Sequence, residues 1–87
     1  MDEYTVDSDN QVMRRRRPEC IEFGKAVRAL RIKRGFSQEA FAHSANVDRS
    51  YMGQIERGEF SPTITTVYRI AKALRVPPAK LLSARNC

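Results

Sequence analysis

The chain has 87 residues, 41% of them hydrophobic and 30% charged. That length supports one hydrophobic core and leaves no room for a second, and no run approaches the ~18 apolar residues that a membrane-spanning helix needs. The formal net charge is +6, yet residues 1–13 carry four acids and no base, which leaves +10 on residues 14–87. So basic a body favours polyanionic partners, either nucleic acid or an anionic membrane surface.

The start, Met1-Asp2-Glu3, lacks the apolar stretch of a secretory signal, so a cytoplasmic protein is expected. Cys20 and Cys87 have neither metal-ligand spacing nor the density of a disulfide framework. They read as reduced thiols, with a single bridge to the C-terminus as the alternative. Residues 1–13 show no helical or alternating period and lead into Arg14-Arg15-Arg16-Arg17. Residues 1–17 are therefore expected to be a disordered tail, with residues 18–87 as the folded domain. The arginine block has two readings. It is a solvated charge run, or it is an arm that adds phosphate contacts or enters a minor groove, with the acidic stretch screening it.

Phe23, Val27 and Leu30 recur at i, i+4 and i+7 and mark the buried face of a first helix, which ends at Gly35 after Lys33 and Arg34. Ser37 is an N-cap for a short second helix that turns Phe41 and Ala42 inward, with Ala42 small enough for two helices to cross. Asn46 tolerates the left-handed backbone of a tight reversal, and Asp48 caps a third helix from about Arg49 to Glu56, which stops at Gly58. Ser61-Pro62-Thr63 starts a fourth helix, in which Ile64, Val67, Ile70, Ala71 and Leu74 repeat at helical spacing. A fifth, from about Pro78 to Leu82, closes the domain with Leu81 and Leu82. With no credible strand, the expected fold is all-α, a compact five-helix bundle. Its expected core is Phe23, Val27, Leu30, Phe41, Met52, Ile64, Val67, Ile70, Leu74 and Leu81.

On the third helix Met52 and Ile55 point inward, which sets Arg49, Ser50, Gly53 and Gln54 on the exposed face. Arg and Gln can make paired hydrogen bonds to guanine and adenine edges. A mid-helix glycine costs about 1 kcal/mol against alanine, and close approach to a groove floor is one reason to keep it. His43, the single histidine, has no ligand-spaced partner, and neither Ser37 nor Ser50 belongs to a Ser-His-Asp arrangement. No catalytic site, metal or cofactor is expected.

The segment from Ser37-Gln38-Glu39 to Ile55-Glu56-Arg57-Gly58 resembles the helix-turn-helix of bacterial regulators of the phage-repressor and Cro type. The resemblance runs from Phe23-Gly24 through Pro62-Thr63 to Ile70-Ala71-Lys72-Ala73-Leu74 and on to Leu82. It implies a lambda-repressor-like DNA-binding domain whose third helix enters the major groove of double-stranded DNA. By the same resemblance, Gln38 at a helix start and Arg57 after the recognition helix hold phosphates, and Ser37 joins them as a cap or phosphate contact. Arg49, Ser50 and Gln54 read bases, and Tyr51 meets backbone or base. Arg31 and Glu56 form a structural ion pair. Asn46 departs from the glycine usual at the turn. A homodimer on a pseudo-palindromic operator is expected, with dimer contacts from Thr63 to Leu82 and any RNA polymerase contact at Glu39. The rival readings are an antitoxin-like protein-interaction module, then an enzyme, then a membrane-surface binder.

Overall fold

The computed structural model describes residues 4–6, 12–14 and 17–82. Tyr4–Val6 (β1) and Val12–Arg14 (β2) pair antiparallel, with Tyr4 opposite Arg14 and Val6 opposite Val12. At these residues the expectation of no credible strand is corrected: Tyr-Thr-Val is a β-favouring triplet that the count of nearby acids obscured. The expected disordered tail falls largely on residues 1–3, 7–11 and 15–16, which lie outside the described residues, as does Cys87.

The helical body is the expected all-α bundle. It comprises α1 (Pro18–Lys33), α2 (Gln38–Ser44), α3 (Arg49–Glu56), α4 (Ile64–Leu74) and α5 (Pro78–Leu82). The first four helix starts each have a local cause. Pro18 opens α1 at a position where a missing N–H costs nothing. Ser37 Oγ accepts from Ala40 N at 3.0 Å, Asp48 Oδ2 from Ser50 N at 3.0 Å, and Thr63 Oγ1 from Thr66 N at 3.2 Å.

The first four helices end alike. Gly35, Asn46, Gly58 and Arg75 all take positive φ. In each case the following residue donates back across the last turn: Phe36 N to Arg31 O, Val47 N to Ala42 O, Glu59 N to Gln54 O and Val76 N to Ala71 O, at 2.9 to 3.1 Å. These bonds satisfy carbonyls that a helix end otherwise leaves open, and they fix the direction in which the chain departs.

Helix α1 packs on α3, α4 and α5, and α2 packs on α3. The core between them is built on Val27, Phe41, Met52, Ile55, Ile70, Leu74 and Leu81. Ile64, expected in that core, is instead 70% exposed: as the first residue of α4 it stands at the rim of a cleft that Phe23, Val67 and Leu82 also line. Leu82 is likewise exposed and Leu30 only partly buried. Cys20 is buried in α1.

Two backbones come close together at Gly24. A Cβ there would lie 2.4 Å from the carbonyl oxygen of Ile55 and 2.6 Å from that of Glu56. A glycine in mid-helix is normally a loss of about 1 kcal/mol against alanine. Here the sign reverses, since the atoms in the way are helix backbone and cannot swing aside. Gly24→Ala is expected to destabilise the fold by roughly 1–3 kcal/mol or more, read as a lower urea midpoint with an unchanged slope. A midpoint that rises would show that α1 and α3 are further apart than described.

Candidate nucleic-acid interface

The segment α2, turn, α3 runs from Gln38 to Glu56. Asn46 (φ 58°) makes the reversal, with its own N–H on His43 O at 3.1 Å and the Val47 N–H on Ala42 O at 2.9 Å. Both ends of the turn are thus hydrogen-bonded, the second by the Asp48 cap, which also accepts from Tyr51 N at 3.3 Å.

Behind α3 lies a buried ion pair. Arg31 Nε donates to Glu56 Oε2 at 2.7 Å and Nη2 donates to Oε1 at 3.1 Å, with side chains only 10% and 3% exposed. Arg31 Nη1 also donates to the carbonyl of Phe36 at 3.0 Å, and Gln38 Nε2 donates to Glu56 Oε1 at 3.1 Å. The carboxylate therefore joins α1, α2 and α3, with both of its oxygens engaged.

In front, Gln38, Arg49, Ser50, Gly53, Gln54 and Arg57 line one open polar depression. Arg49 and Ser50 are exposed and Gln54 half-buried. This is a shallow surface of donors and amides, suited to the edge of a large polar ligand rather than to enclosing a small one. Ser37 caps α2 through its hydroxyl, as described above. Tyr51 is half-buried with its ring edge-on to Phe60, centroids 6.0 Å apart, and it does not line the depression.

Gly53 is buried rather than exposed. Its place is covered by two side chains: a Cβ would meet Arg57 Nη1 at 3.1 Å and Gln38 Oε1 at 3.4 Å. The glycine thus makes room within the protein for Arg57 to lie across α3. That differs from the groove-floor reason suggested by sequence.

Arg57 Nε donates to Glu59 Oε2 at 2.8 Å and Nη2 donates to Oε1 at 3.3 Å. The contact raises the Arg57 pKa above its ordinary value, first through this hydrogen bond, with desolvation opposing and the charge of Glu59 adding. Sequence reasoning passed over Glu59, because an acid two residues from an arginine is too common a pattern to stand out. It also gave Gly24 no crossing role, although the cost argument applied to Gly53 applies equally to that mid-helix glycine. Among the described residues no group of three or more His, Cys, Asp or Glu could hold a metal ion, and no helix is long and apolar enough to cross a membrane.

A family model described as helix-turn-helix matches residues 27–81. The chain belongs to the helix-turn-helix family. Within it, the chain is 40% identical over 57 residues to the HTH-type transcriptional regulator SutR of Escherichia coli (strain K12), covering 66% of this chain and 32% of that protein. It is 39% identical over 61 residues to control protein C.BamHI of Bacillus amyloliquefaciens, covering 69% of this chain and 75% of that one. The chain thus spans about a third of the first relative and three quarters of the second. Among solved structures it is similar to the restriction-modification controller protein C.AhdI from Aeromonas hydrophila. That match has a TM-score of 0.73 at 35% identity and covers 75% of this chain and 98% of that one. The resemblance to regulators of the phage-repressor and Cro type is thereby shown at the level of the family.

Two substitutions separate support from surface in this helix-turn-helix. Glu56→Ala leaves Arg31 buried without its partner and is expected to cost about 3–5 kcal/mol of stability in urea unfolding. A loss below about 1 kcal/mol would mean that water reaches Arg31. Gly53→Ala is expected to hold or raise the melting temperature, because alanine favours helix and the guanidinium can move. In the same variant DNA affinity should fall, since the Arg57 guanidinium is pushed from its seat over α3. Unaltered binding would remove Gly53 from the interface.

Proposed function

We propose that this helix-turn-helix protein is a cytoplasmic transcriptional regulator that binds a pseudo-palindromic operator as a homodimer, with α3 in the major groove. The observation that carries this reading is the polar face of α3. Arg49, Ser50 and Gln54 stand beside Gln38 and Arg57 around one depression, on a helix whose other face is locked into the core. In this reading Arg49 and Gln54 make paired hydrogen bonds to guanine and adenine edges, and Ser50 adds a single one. Gln38 and Arg57 hold backbone phosphates on either side, with Ser37 at the start of α2 adding its exposed N-terminal turn. Tyr51, braced by Phe60, contacts the backbone beside them.

The net charge of +6 supplies the long-range attraction to a polyanion. The chain acts by binding and carries out no reaction of its own. A single eight-residue helix spans only a few base pairs, so two copies about 34 Å apart on one face of the duplex supply the remaining specificity. Ile64, Tyr68 and Leu82, exposed on α4 and α5, offer apolar surface for that pairing. In this reading Glu39, exposed on α2, is the residue that contacts RNA polymerase on adjacent DNA.

The test is selection from a random duplex library at one stated salt concentration, with Arg49→Ala and Gln54→Ala beside the wild type. Enrichment of a two-fold symmetric site by the wild type is expected. Each variant should relax one or two positions of each half-site, at about 1–3 kcal/mol per lost base contact. Enrichment of no sequence, with binding that merely fades as salt rises, would refute sequence reading. An asymmetric single site would refute the dimer.

A further inference from the structure

Arg57 is the basic side chain that the reading above assigns to phosphate, and its Nε and Nη2 are already held by a carboxylate. The fork of Glu59 lies along the side-on edge of the guanidinium at 2.8 and 3.3 Å, while Nη1 lies over Gly53 inside the polar depression. A carboxylate fork and two phosphate oxygens present the same pair of acceptors to that edge. We propose that Glu59 is an internal competitor for DNA phosphate at Arg57, so that the duplex reaches this arginine only by displacing a carboxylate of the protein itself.

The inference rests on the DNA-binding reading and adds to it a residue that lowers affinity. Both side chains are substantially exposed, 58% for Arg57 and 38% for Glu59. The contact therefore lies at the surface, where solvent and a polyanion both reach it. The backbone puts Glu59 where it can act: Gly58 turns through the left-handed region, and Glu59 N is bound to Gln54 O at 2.9 Å, so the carboxylate starts from a fixed point beside the end of α3.

The consequence is a matter of ion counting. An arginine that neutralises a phosphate releases condensed counterions and steepens the salt dependence of binding by about 0.9. If that arginine must first leave Glu59, the displaced carboxylate stays beside the duplex and repels it, which offsets much of that gain. Arg57 then adds little net dependence on salt and little affinity for arbitrary sequences.

The experiment titrates the full chain with a mixed-sequence duplex of about 20 base pairs at several salt concentrations, using the wild type, Glu59→Gln, Arg57→Ala and the double variant. Glu59→Gln is expected to tighten binding roughly 5- to 10-fold near 0.1 M salt and to steepen the slope by about one phosphate. In the Arg57→Ala background the same change should give about twofold or less, the effect of one screened surface charge. An equal gain in both backgrounds would overturn the proposal, because the effect would then be bulk charge and not competition at Arg57. No gain, or weaker binding on Glu59→Gln, would overturn it as well, the latter by making Glu59 an aid to binding. If the wild type binds no duplex, this inference and the DNA-binding reading fall together. If it binds and Glu59→Gln changes nothing, only this inference falls.

Discussion

Burying a carboxylate costs several kcal/mol unless its charge and both its oxygens are matched. At Glu56 they are matched by groups from two other helices. Arg31 comes from the end of α1 and Gln38 from the start of α2, so the pose of α3 against both depends on this one side chain. The fork-on-fork geometry of the Arg31 contact admits a single orientation. On the same helix end, the bare Cα of Gly24 lets α1 come down onto the carbonyls of Ile55 and Glu56. Close backbone contact and a directional ion pair thus act at the same residues, one setting distance and the other rotation.

The remaining devices make short helices persist. Helices of seven and eight residues, as α2 and α3 are, do not hold in water by themselves. They hold here because each is capped by a side chain at its start, closed by a back-donating N–H at its end, and sealed by Phe41, Met52 and Ile55 in the core. Arg75 is the exception that shows how strong this pattern is. It adopts the left-handed conformation without being glycine or asparagine, and the two bonds from Arg75 and Val76 offset the strain.

Most of this was legible in the sequence because it is written in local chemistry. Ser37, Asp48 and Thr63 announce helix starts, Gly35, Asn46 and Gly58 announce ends, and the period of Phe23, Val27 and Leu30 gives a face. What escaped is what depends on neighbours far away in sequence. Ile64 fits the period of α4, yet it stands at the open rim of a cleft between α1, α4 and α5 and not in the core. Gly53 was recognised as a glycine in need of a reason, but the reason lies in Gln38 and Arg57 folding over it, which periodicity does not encode. Gly24 is the same residue type with the opposite sensitivity, because its neighbour is backbone instead of the end of a flexible side chain. In β1, three residues with strand preference sat inside a stretch whose acidity dominated the reading.

The turn between α2 and α3 carries a consequence for any duplex that meets it. With Asn46 and Val47 bonded back to α2 and Asp48 bonded forward to α3, the angle between the helices is fixed before any encounter, and little ordering entropy is left to lose on association. Such a surface does not mould itself to its target. On the DNA-binding reading proposed above, the adjustment of groove width and curvature would fall on the nucleic acid, which would favour sequences that bend easily.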